Sequence, residues 1–463
     1  MKTKLLSIAA IAAVAALSTM PTSAQPQPAR VVPTSMQQVQ LSFATVVKRT
    51  APAVVNIYSK RRVRNPYADD PFFGRFFAGR DRVQNALGSG VIVRADGIIV
   101  TNNHVVADAD EIVVVLADRR EFEAKLVLAD ERTDLAILRV NAAGKALPTL
   151  AFHNSDDAEV GDIVLAIGNP FGVGQTVTSG IVSALARTQV GVSDHQFFIQ
   201  TDAAINPGNS GGALVTVNGE LIGINTAIFS RSGGSIGIGF AIPANMVKIV
   251  VNQALGGAKE VARPWLGIET QPVDTAIAES LGLDRPIGVL VRDVAPGSPA
   301  AQAGLQQRDI ITKVDDIAVN DEQALNFRAA TKGIGNTATV TFIRGGQART
   351  ASLRLIAAPE GASRAQTVIE GRNPLQGVTV ANLSPALARD LDLDQTKGVV
   401  ITDVSSRGVA ARFGFAPGDI VVGVNGRSIT NVSTLQDVLK RGTRTWNIAV
   451  NRNGSTMTLS VRN

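Results

Sequence analysis

The stretch from Asn206 to Asn225 reads NPGNSGGALVTVNGELIGIN, and it decides the fold more than any other part of the chain. Ser210 lies among glycines in its first half. Because glycine tolerates positive φ, such an arrangement can turn two backbone N–H groups toward one point beside a hydroxyl. The second half alternates short apolar runs with an Asn-Gly turn, which predicts a hairpin of two strands.

The same serine also fits the Gly-x-Ser-x-Gly turn of α/β-hydrolases, so that fold has to be tested. In that fold a helix follows the serine, and the catalytic histidine comes later in the sequence than the serine. Here a strand is predicted to follow, and all three histidines precede Ser210. The order histidine, aspartate, serine is the one used on chymotrypsin-like double β-barrels. Taken alone, the run also fits a glycine-rich turn with an incidental serine.

His104 is the candidate base. It follows the apolar run GIIVT (97–101), so it lies where a strand passes into a loop. A side chain at such a junction can be held in place and still be reached by solvent. His153 and His195 lie in polar contexts and are expected to be solvent-exposed.

Asp134 is the candidate acid between His104 and Ser210. It opens the apolar strand Leu135–Leu138, which would carry its carboxylate into the core beside His104. Without the other two signals, Asp134 would also fit an ordinary turn or helix cap. Four other aspartates lie in polar clusters typical of the surface: Asp108, Asp110, Asp156 and Asp157.

Short β-branched runs recur between turn residues from about Phe43 to Ile242, which predicts an all-β barrel or sandwich. The segment from Asn65 to Arg82 interrupts this rhythm. Such a segment is typical of a mobile surface insertion whose aromatic side chains contact a partner. Its phenylalanines are Phe72, Phe73, Phe76 and Phe77.

The C-terminal part contains an internal repeat. The stretch from Gly288 to Asp316 aligns without a gap to the stretch from Gly398 to Gly426, an offset of 110 residues. Two units of this length predict duplicated domains rather than a solenoid. The small, polar segment from Ala357 to Arg372 is the predicted linker between them.

Composition and charge exclude several classes of protein. The chain has 463 residues, of which 45% are apolar and 18% charged, so it can bury several cores and is not typical of disordered proteins. Its net charge of +6 comes from interspersed residues, so no nucleic-acid partner is implied. Cysteine is absent, which excludes thiol catalysis, disulfides and cysteine zinc sites.

The N-terminus has the pattern of a secretory signal peptide. Lys2 and Lys4 precede the apolar run Leu5–Leu17, and small residues follow up to Ala24. We therefore expect export and removal of residues 1–24. The apolar run is too short to span a membrane, and no stable membrane span is expected later in the chain.

Three motifs together resemble the catalytic motifs of the HtrA (Do/Deg) serine proteases: Thr101–Val106 (TNNHVV), Thr133–Ala136 (TDLA) and Asn206–Leu214 (NPGNSGGAL). The resemblance covers nearly the whole mature chain and is closest to the Q-type or P-type Deg proteases. It implies a mainly β fold in which a chymotrypsin-like double β-barrel is followed by two α+β PDZ domains. The expected bounds are 1–24 for the signal peptide, 25–258 for the protease domain, 259–357 for the first PDZ domain and 373–463 for the second.

The resemblance also assigns roles to residues. Ser210 would be the nucleophile, His104 its base and then the acid to the leaving amine, and Asp134 the group that orients the imidazole. Gly208, Asn209 and Ser210 would form the oxyanion hole, with the amides of Gly208 and Ser210 as the donors. Neither ATP nor a metal or other cofactor is expected.

The loop Thr226–Gly239 is expected to shape the specificity pocket together with Ile205 and Ile238. Apolar walls without an acidic residue at the base favour small aliphatic P1 side chains such as Val, Ala or Ile, and disfavour Lys or Arg.

A PDZ domain adds a peptide C-terminus as a strand to a sheet edge, while loop amides hold the terminal carboxylate. In the first copy the predicted loop is Leu266, Gly267 and Ile268, with Arg263 as an electrostatic aid. The second copy places polar Gln376 where the first has Leu266, which argues against carboxylate binding there.

The implied protein is an ATP-independent serine endopeptidase that degrades unfolded or damaged proteins in the periplasm, with chaperone activity and regulation by PDZ-bound peptides. The resemblance suggests a relay through the loop Arg187–Gly191, and homotrimers or assemblies of trimers. Two competing hypotheses are a chaperone without turnover and a PDZ scaffold. The set of His104, Asp134 and Ser210 argues against the first, and the glycine-bracketed serine against the second.

Overall fold

The structure is a computed structural model that describes most of the chain from residue 42 onward. The described residues are 42–63, 82–170, 174–187, 197–206, 208–228, 235–359, 366–391, 393, 395, 397–405, 408–443, 445–452 and 454–462. The predicted signal peptide lies outside them. So does the phenylalanine-rich insertion, Phe72, Phe73, Phe76 and Phe77 included, apart from its last residue, Arg82.

Two short helices and six strands form the first part of the fold: α1 Ala44–Thr50, β1 Val54–Val63, β2 Arg82–Arg94, β3 Ile98–Thr101, α2 Asn103–Val106, β4 Glu111–Val115, β5 Glu121–Asp130 and β6 Leu135–Val140. The strands close into a barrel in the order β1-β2-β3-β6-β5-β4. Side chains alternate across each strand, so the inward β-branched and leucine residues share one core, in which Val55, Ile92 and Leu138 are fully buried.

Six further strands and a helix follow: β7 Ile163–Gly168, β8 Thr176–Arg187, β9 Phe198–Thr201, β10 Ala213–Thr216, β11 Leu221–Ile228, β12 Gly239–Pro243 and α3 Ala244–Leu255. The strands close into a second barrel in the order β10-β11-β12-β9-β8-β7. The hairpin predicted after Ser210 is the antiparallel pair β10 and β11. The two closed barrels confirm the predicted double β-barrel.

The first repeat unit is a mixed domain with these elements: β13 Pro264–Trp265, β14 Ile268–Pro272, α4 Thr275–Ser280, β15 Val289–Val294, α5 Pro299–Gln302, β16 Ile310–Val314, β17 Ile317–Ala318, α6 Glu322–Lys332, β18 Thr337–Arg344, β19 Gln347–Arg354 and β20 Ile356–Ala357. Its sheet runs β14-β15-β16-β18-β19, with β17 beside β16, so β14 is an edge strand among the described residues. Strands β13 and β20 pair separately.

The second unit repeats this plan: β21 Thr367–Val368, β22 Val378–Asn382, α7 Pro385–Asp390, β23 Val399–Val404, α8 Val409–Arg412, β24 Ile420–Val424, β25 Arg427–Ser428, α9 Val432–Lys440, β26 Thr445–Arg452 and β27 Ser455–Arg462. Its sheet runs β21-β22-β23-β24-β26-β27. Unlike β14, its counterpart β22 therefore has a neighbour on both sides.

The second unit also begins earlier than the predicted residue 373. Strand β21 lies in the segment predicted as linker and pairs with β22, and Ile369 is buried in the core of the domain. The linker prediction is wrong for this part because a strand of two residues has no periodicity that a sequence could reveal.

The duplication extends to one buried ion pair. Asp309 accepts two hydrogen bonds from Arg344 at 2.6 Å, and Asp419 accepts two from Arg452 at 2.5 and 2.7 Å. Each carboxylate also accepts the backbone N–H of the residue three positions before it. The hydrogen bonds to the carboxylates raise the pKa of both arginines above the usual value, so both guanidinium groups stay charged.

The first repeat unit packs on the second barrel through two aromatic rings. Phe327 of α6 stacks on Phe197, which immediately precedes β9, with ring centroids 3.8 Å apart and planes at 13°. The guanidinium of Arg328 lies 5.0 and 5.3 Å from the two ring centroids and forms an ion pair with Asp156. Helix α6 is thereby fixed to the second barrel by stacking and by charge.

Candidate active site

His104 and Asp134 lie in contact in the first barrel. His104 is the second residue of α2, and Asp134 immediately precedes β6. The ring nitrogen Nδ1 lies 2.8 Å from Asp134 Oδ2 and 3.0 Å from Oδ1, and the backbone N–H of His104 donates to Oδ1 at 3.0 Å. The carboxylate favours the tautomer with its hydrogen on Nδ1, so Nε2 is an acceptor. The imidazole is half exposed, whereas the carboxylate is only 12% exposed.

The backbone of Asp134 helps to hold this geometry. Its φ of 55° lies in the left-handed region, which aspartate tolerates better than most residues. Its carbonyl accepts hydrogen bonds from the N–H of Asn103 at 3.0 Å and from Asn102 Nδ2 at 2.9 Å. These bonds fix the start of α2 to the start of β6.

Ser210 lies in the second barrel and is connected to Asp134 by hydrogen bonds through Thr226 of β11. Thr226 Oγ1 donates to Asp134 Oδ2 at 2.5 Å, and the Thr226 carbonyl accepts from Ser210 Oγ at 3.2 Å. Ser210 and His104 are both described, and they share no hydrogen bond. Thr226 was not predicted from the sequence; the available signal was the polar pair Asn225 and Thr226 in a strand whose other residues are apolar or glycine.

The loop around Ser210 leaves two amides available. No backbone hydrogen bond between described residues uses the N–H of Gly208 or Ser210. The N–H of Asn209, which was not an expected donor, donates to the Asn206 carbonyl at 2.9 Å. Pro207 lies outside the described residues.

Two glycines allow this loop conformation. Gly208 has φ of +95°, and an added Cβ would lie 2.3 Å from Pro170 Cβ. Gly211 has φ of +81°, and its added Cβ would lie 2.1 Å from the Ser89 carbonyl oxygen. Any side chain at either position would be both strained and in collision.

Ser89 of β2 holds the same loop from the first barrel. Its Oγ donates to the Gly208 carbonyl at 2.6 Å and accepts the N–H of Asn169 at 2.8 Å. Its N–H donates to the Ser210 carbonyl at 2.8 Å, and its own carbonyl accepts from Thr101 Oγ1 at 2.7 Å. Ser89 was not predicted from the sequence, although a serine between two glycines and before the apolar run Val91–Val93 was a signal.

The candidate specificity residues, Ile205 and Ile238, are both apolar. Ile205 is 1% exposed in the core of the second barrel, and Ile238 is half-buried. A Cβ added to Gly239 would lie 2.7 Å from Ile205 Cδ1, so glycine leaves space beside this side chain. Residues 229–234 of the loop lie outside the described residues.

A cavity of about 160 Å³ lies between the Leu266–Ile268 loop and α6 in the first PDZ domain. Between described residues, no backbone hydrogen bond uses the N–H of Leu266 or Gly267. Gly267 has φ of +71°, and an added Cβ would lie 2.1 Å from Ser298 Cβ. Phe197 and Met246 of the protease domain also line this cavity.

Other predicted residues have different surroundings. Arg263 forms a buried ion pair with Asp130 at 2.6 Å, so it already has a carboxylate partner within the chain. The prediction that His153 is solvent-exposed is wrong, because its side chain is only 20% exposed and its Nδ1 lies 3.0 Å from Glu220 Oε2. The backbone of Arg187 pairs with Phe198. The Arg187 side chain, residues 188–196 and therefore His195 lie outside the described residues.

Comparisons with known proteins agree with this architecture. Residues 88–224 match a trypsin-like peptidase domain, and residues 264–355 and 400–451 each match a PDZ domain. Among the described residues, no helix has the length and apolar character to cross a membrane.

Curated relatives match over most of their length. The chain is 41% identical to a probable periplasmic serine endoprotease DegP-like of Pseudomonas fulva, covering 86% of this chain and 88% of the relative. It is 37% identical to the periplasmic serine endoprotease DegP of Salmonella typhimurium, covering 95% of each. A solved structure of the HtrA-type protease AlgW with a decapeptide is 45% identical, with a TM-score of 0.52, over 69% of this chain and 100% of that one. The double barrel, the two PDZ domains and this identity along nearly the whole length place the chain in the HtrA family of DegP-like serine endopeptidases.

Proposed function

We propose that the protein is a periplasmic, ATP-independent endopeptidase of unfolded or damaged proteins, with Ser210 as nucleophile, His104 as general base and Asp134 as the residue that orients His104. One observation carries the proposal: Asp134 accepts hydrogen bonds from both Nδ1 and the backbone N–H of His104. This contact fixes the ring and leaves Nε2 able to accept a proton.

Acylation begins when the Ser210 hydroxyl leaves the Thr226 carbonyl and turns to His104. Nε2 then takes the hydroxyl proton while Oγ bonds to the scissile carbonyl carbon. The N–H groups of Gly208 and Ser210 donate to the resulting oxyanion. His104 next gives the proton to the leaving nitrogen as the C–N bond breaks. A water, deprotonated in the same way, hydrolyses the acyl-enzyme and releases Ser210.

Substitution of the triad tests this mechanism. Ser210→Ala and His104→Ala should each lower casein turnover by up to about a million-fold, because the members of a triad act as a unit. His153→Ala is the matched histidine control and should retain turnover. Retained casein hydrolysis in Ser210→Ala, with the thermal transition unchanged, would contradict the assignment.

The substrate pocket is proposed to accept small aliphatic P1 side chains because its proposed wall residues, Ile205 and Ile238, are both apolar. In a peptide series that differs only at P1, kcat/KM should be highest for Val, Ala or Ile and lowest for Lys and Arg. Each methylene gained or lost in such a pocket changes kcat/KM by roughly 10- to 200-fold. Preferential cleavage after Lys or Arg would contradict this pocket.

The first PDZ domain is proposed to bind substrate C-termini. Three features support this role: the edge of β14, which has no strand neighbour among the described residues; the amides of Leu266 and Gly267, which no backbone hydrogen bond between described residues uses; and the adjoining cavity. The solved AlgW structure also contains a decapeptide. Peptide binding would reach the protease through Phe197, which lines the cavity and precedes β9, and through the loop after Arg187. Activation requires that the peptide bind the active arrangement more tightly than the resting one.

The remaining parts of the proposal follow from the family resemblance. Residues 1–24 would direct export to the periplasm, in keeping with the periplasmic relatives. The protein would form homotrimers or assemblies of trimers and would add chaperone activity to proteolysis.

A further inference from the structure

The groove of the second PDZ domain contains a strand of the chain itself. Thr367 pairs with Val380 and Val368 pairs with Thr379. The pairing is antiparallel and lies along the side of β22 opposite β23. The pairing continues at Ile369, whose N–H donates to the Val378 carbonyl at 2.8 Å. In the first domain, the equivalent side of β14 has no strand neighbour among the described residues.

The side chains of this segment alternate as those of a bound peptide would. Ile369 is 2% exposed and belongs to the core of the domain together with Leu375 and with Leu435 of α9. Val368 points away and is 55% exposed. An added peptide strand likewise places alternate side chains in the pocket beside the helix and in solvent.

The loop amides of the second domain are already paired. The Gly377 N–H donates to the Ile369 carbonyl at 2.8 Å, where a peptide carboxylate would otherwise accept. The N–H groups of Gln376 and Val378 donate within the loop, to the carbonyls of Asn373 and Leu375, both at 3.1 Å. Gly267, the counterpart of Gly377 in the first domain, has no such bond between described residues.

We propose that the second PDZ domain carries a strand-addition site whose ligand is the chain's own segment Thr367–Ile369, and that this site is closed to external peptides. Ile369 takes the place of a C-terminal apolar residue, and its carbonyl takes the place of the carboxylate. A short tether gives the segment an effective concentration on the order of millimolar. External peptides at micromolar concentration therefore do not displace it.

Amide hydrogen exchange on the full-length mature chain, resolved to single residues, tests the proposal. Gly267 and Gly377 are a matched pair, with φ of +71° and +79°. Without any peptide, Gly377 should exchange at least about tenfold more slowly than Gly267, because only Gly377 has a strand partner. Ile369→Ser should remove this protection, and Val368→Ser, at the exposed neighbour, should leave it. Equal exchange of the two glycines, or equal effects of the two variants, would overturn the proposal.

A labelling experiment gives a second reading. A peptide ending in a photoreactive leucine should label only the first PDZ domain of the wild type, and both domains of Ile369→Ser. Labelling of the β22 and α9 region in the wild type would also overturn the proposal. Unchanged exchange in β26 and β27 of Ile369→Ser shows that the domain remains folded. The exchange of Gly377 depends on neither peptide binding nor turnover, so it decides this proposal even if the first domain binds no peptide.

Discussion

Ser89 shows how one side chain of the first barrel can determine the geometry of a loop in the second. Its Oγ and N–H donate to the Gly208 and Ser210 carbonyls, which belong to the two peptide groups on either side of the one that carries the Ser210 N–H. The carbonyl direction sets the plane of each peptide group. Ser89 is therefore a positioning residue for the loop that presents the oxyanion donors, although it touches no substrate.

Ser89→Ala should lower kcat by about tenfold or more and leave KM nearly unchanged. This loss of kcat should be smaller than the loss expected from removing an oxyanion donor itself. Affinity for a peptide boronate, which mimics the oxyanion, should fall in the same proportion. Ser155→Ala is the control, because Ser155 is also buried and accepts one backbone bond, from Asn245 at 3.2 Å. A loss of thermal stability with unchanged kcat would show that Ser89 is only structural.

The sequence predicts residues whose chemistry is rare in the chain better than residues that act through contacts. His104 and Asp134 stand out because histidines are few and because the aspartate opens an apolar strand. Thr226 and Ser89 contact Asp134 and Gly208 across separations of 92 and 119 residues. No local pattern encodes such contacts, since they arise only when the two barrels pack together.

At the scale of elements, helix α6 links the peptide groove to the protease barrel. One side of the helix lines the cavity, and Phe327 and Arg328 contact the residue before β9 and Asp156. The repeat predicted duplicated domains, but it ends at Asp316, before α6, and it did not predict the attachment of this helix, because an isolated aromatic residue has no specific signature. The same limit applies to β21, whose two residues were assigned to a linker.

Asp156→Asn removes the ion pair to Arg328 without altering a residue that lines the cavity. The ratio of casein turnover with and without an apolar-ended peptide should fall toward one. Because Asp156 does not line the cavity, the Kd of the peptide should change by less than about threefold, well short of the tenfold that 1.4 kcal/mol would give. Asp118→Asn, at an exposed ion pair with Arg120, is the control. An unchanged activation ratio would exclude this contact from the relay.

At the scale of the whole molecule, the described part of the chain contains two barrels, one large sheet in each repeat unit and a separate two-stranded sheet. The assembly is proposed to be trimeric. The native mass at micromolar concentration should be three times that of the mature chain, or a multiple of that value. Replacing Phe72, Phe73, Phe76 and Phe77 by serine should lower the mass of the assembly. Burying one aromatic side chain contributes about 1.5–3 kcal/mol to an interface. A monomeric wild type would exclude the trimer.

The pairing of Thr367 with Val380 also determines how far the last domain can travel. Between residue 359 of the first PDZ domain and residue 366, a fully extended chain reaches at most about 25 Å, at roughly 3.5 Å per residue. If the chain were unpaired up to Val378, the reach would be about 65 Å. Anchoring three residues in the groove thus reduces the volume open to the terminal domain by more than about tenfold. The second PDZ domain therefore stays close to the rest of its own chain, at a high local concentration.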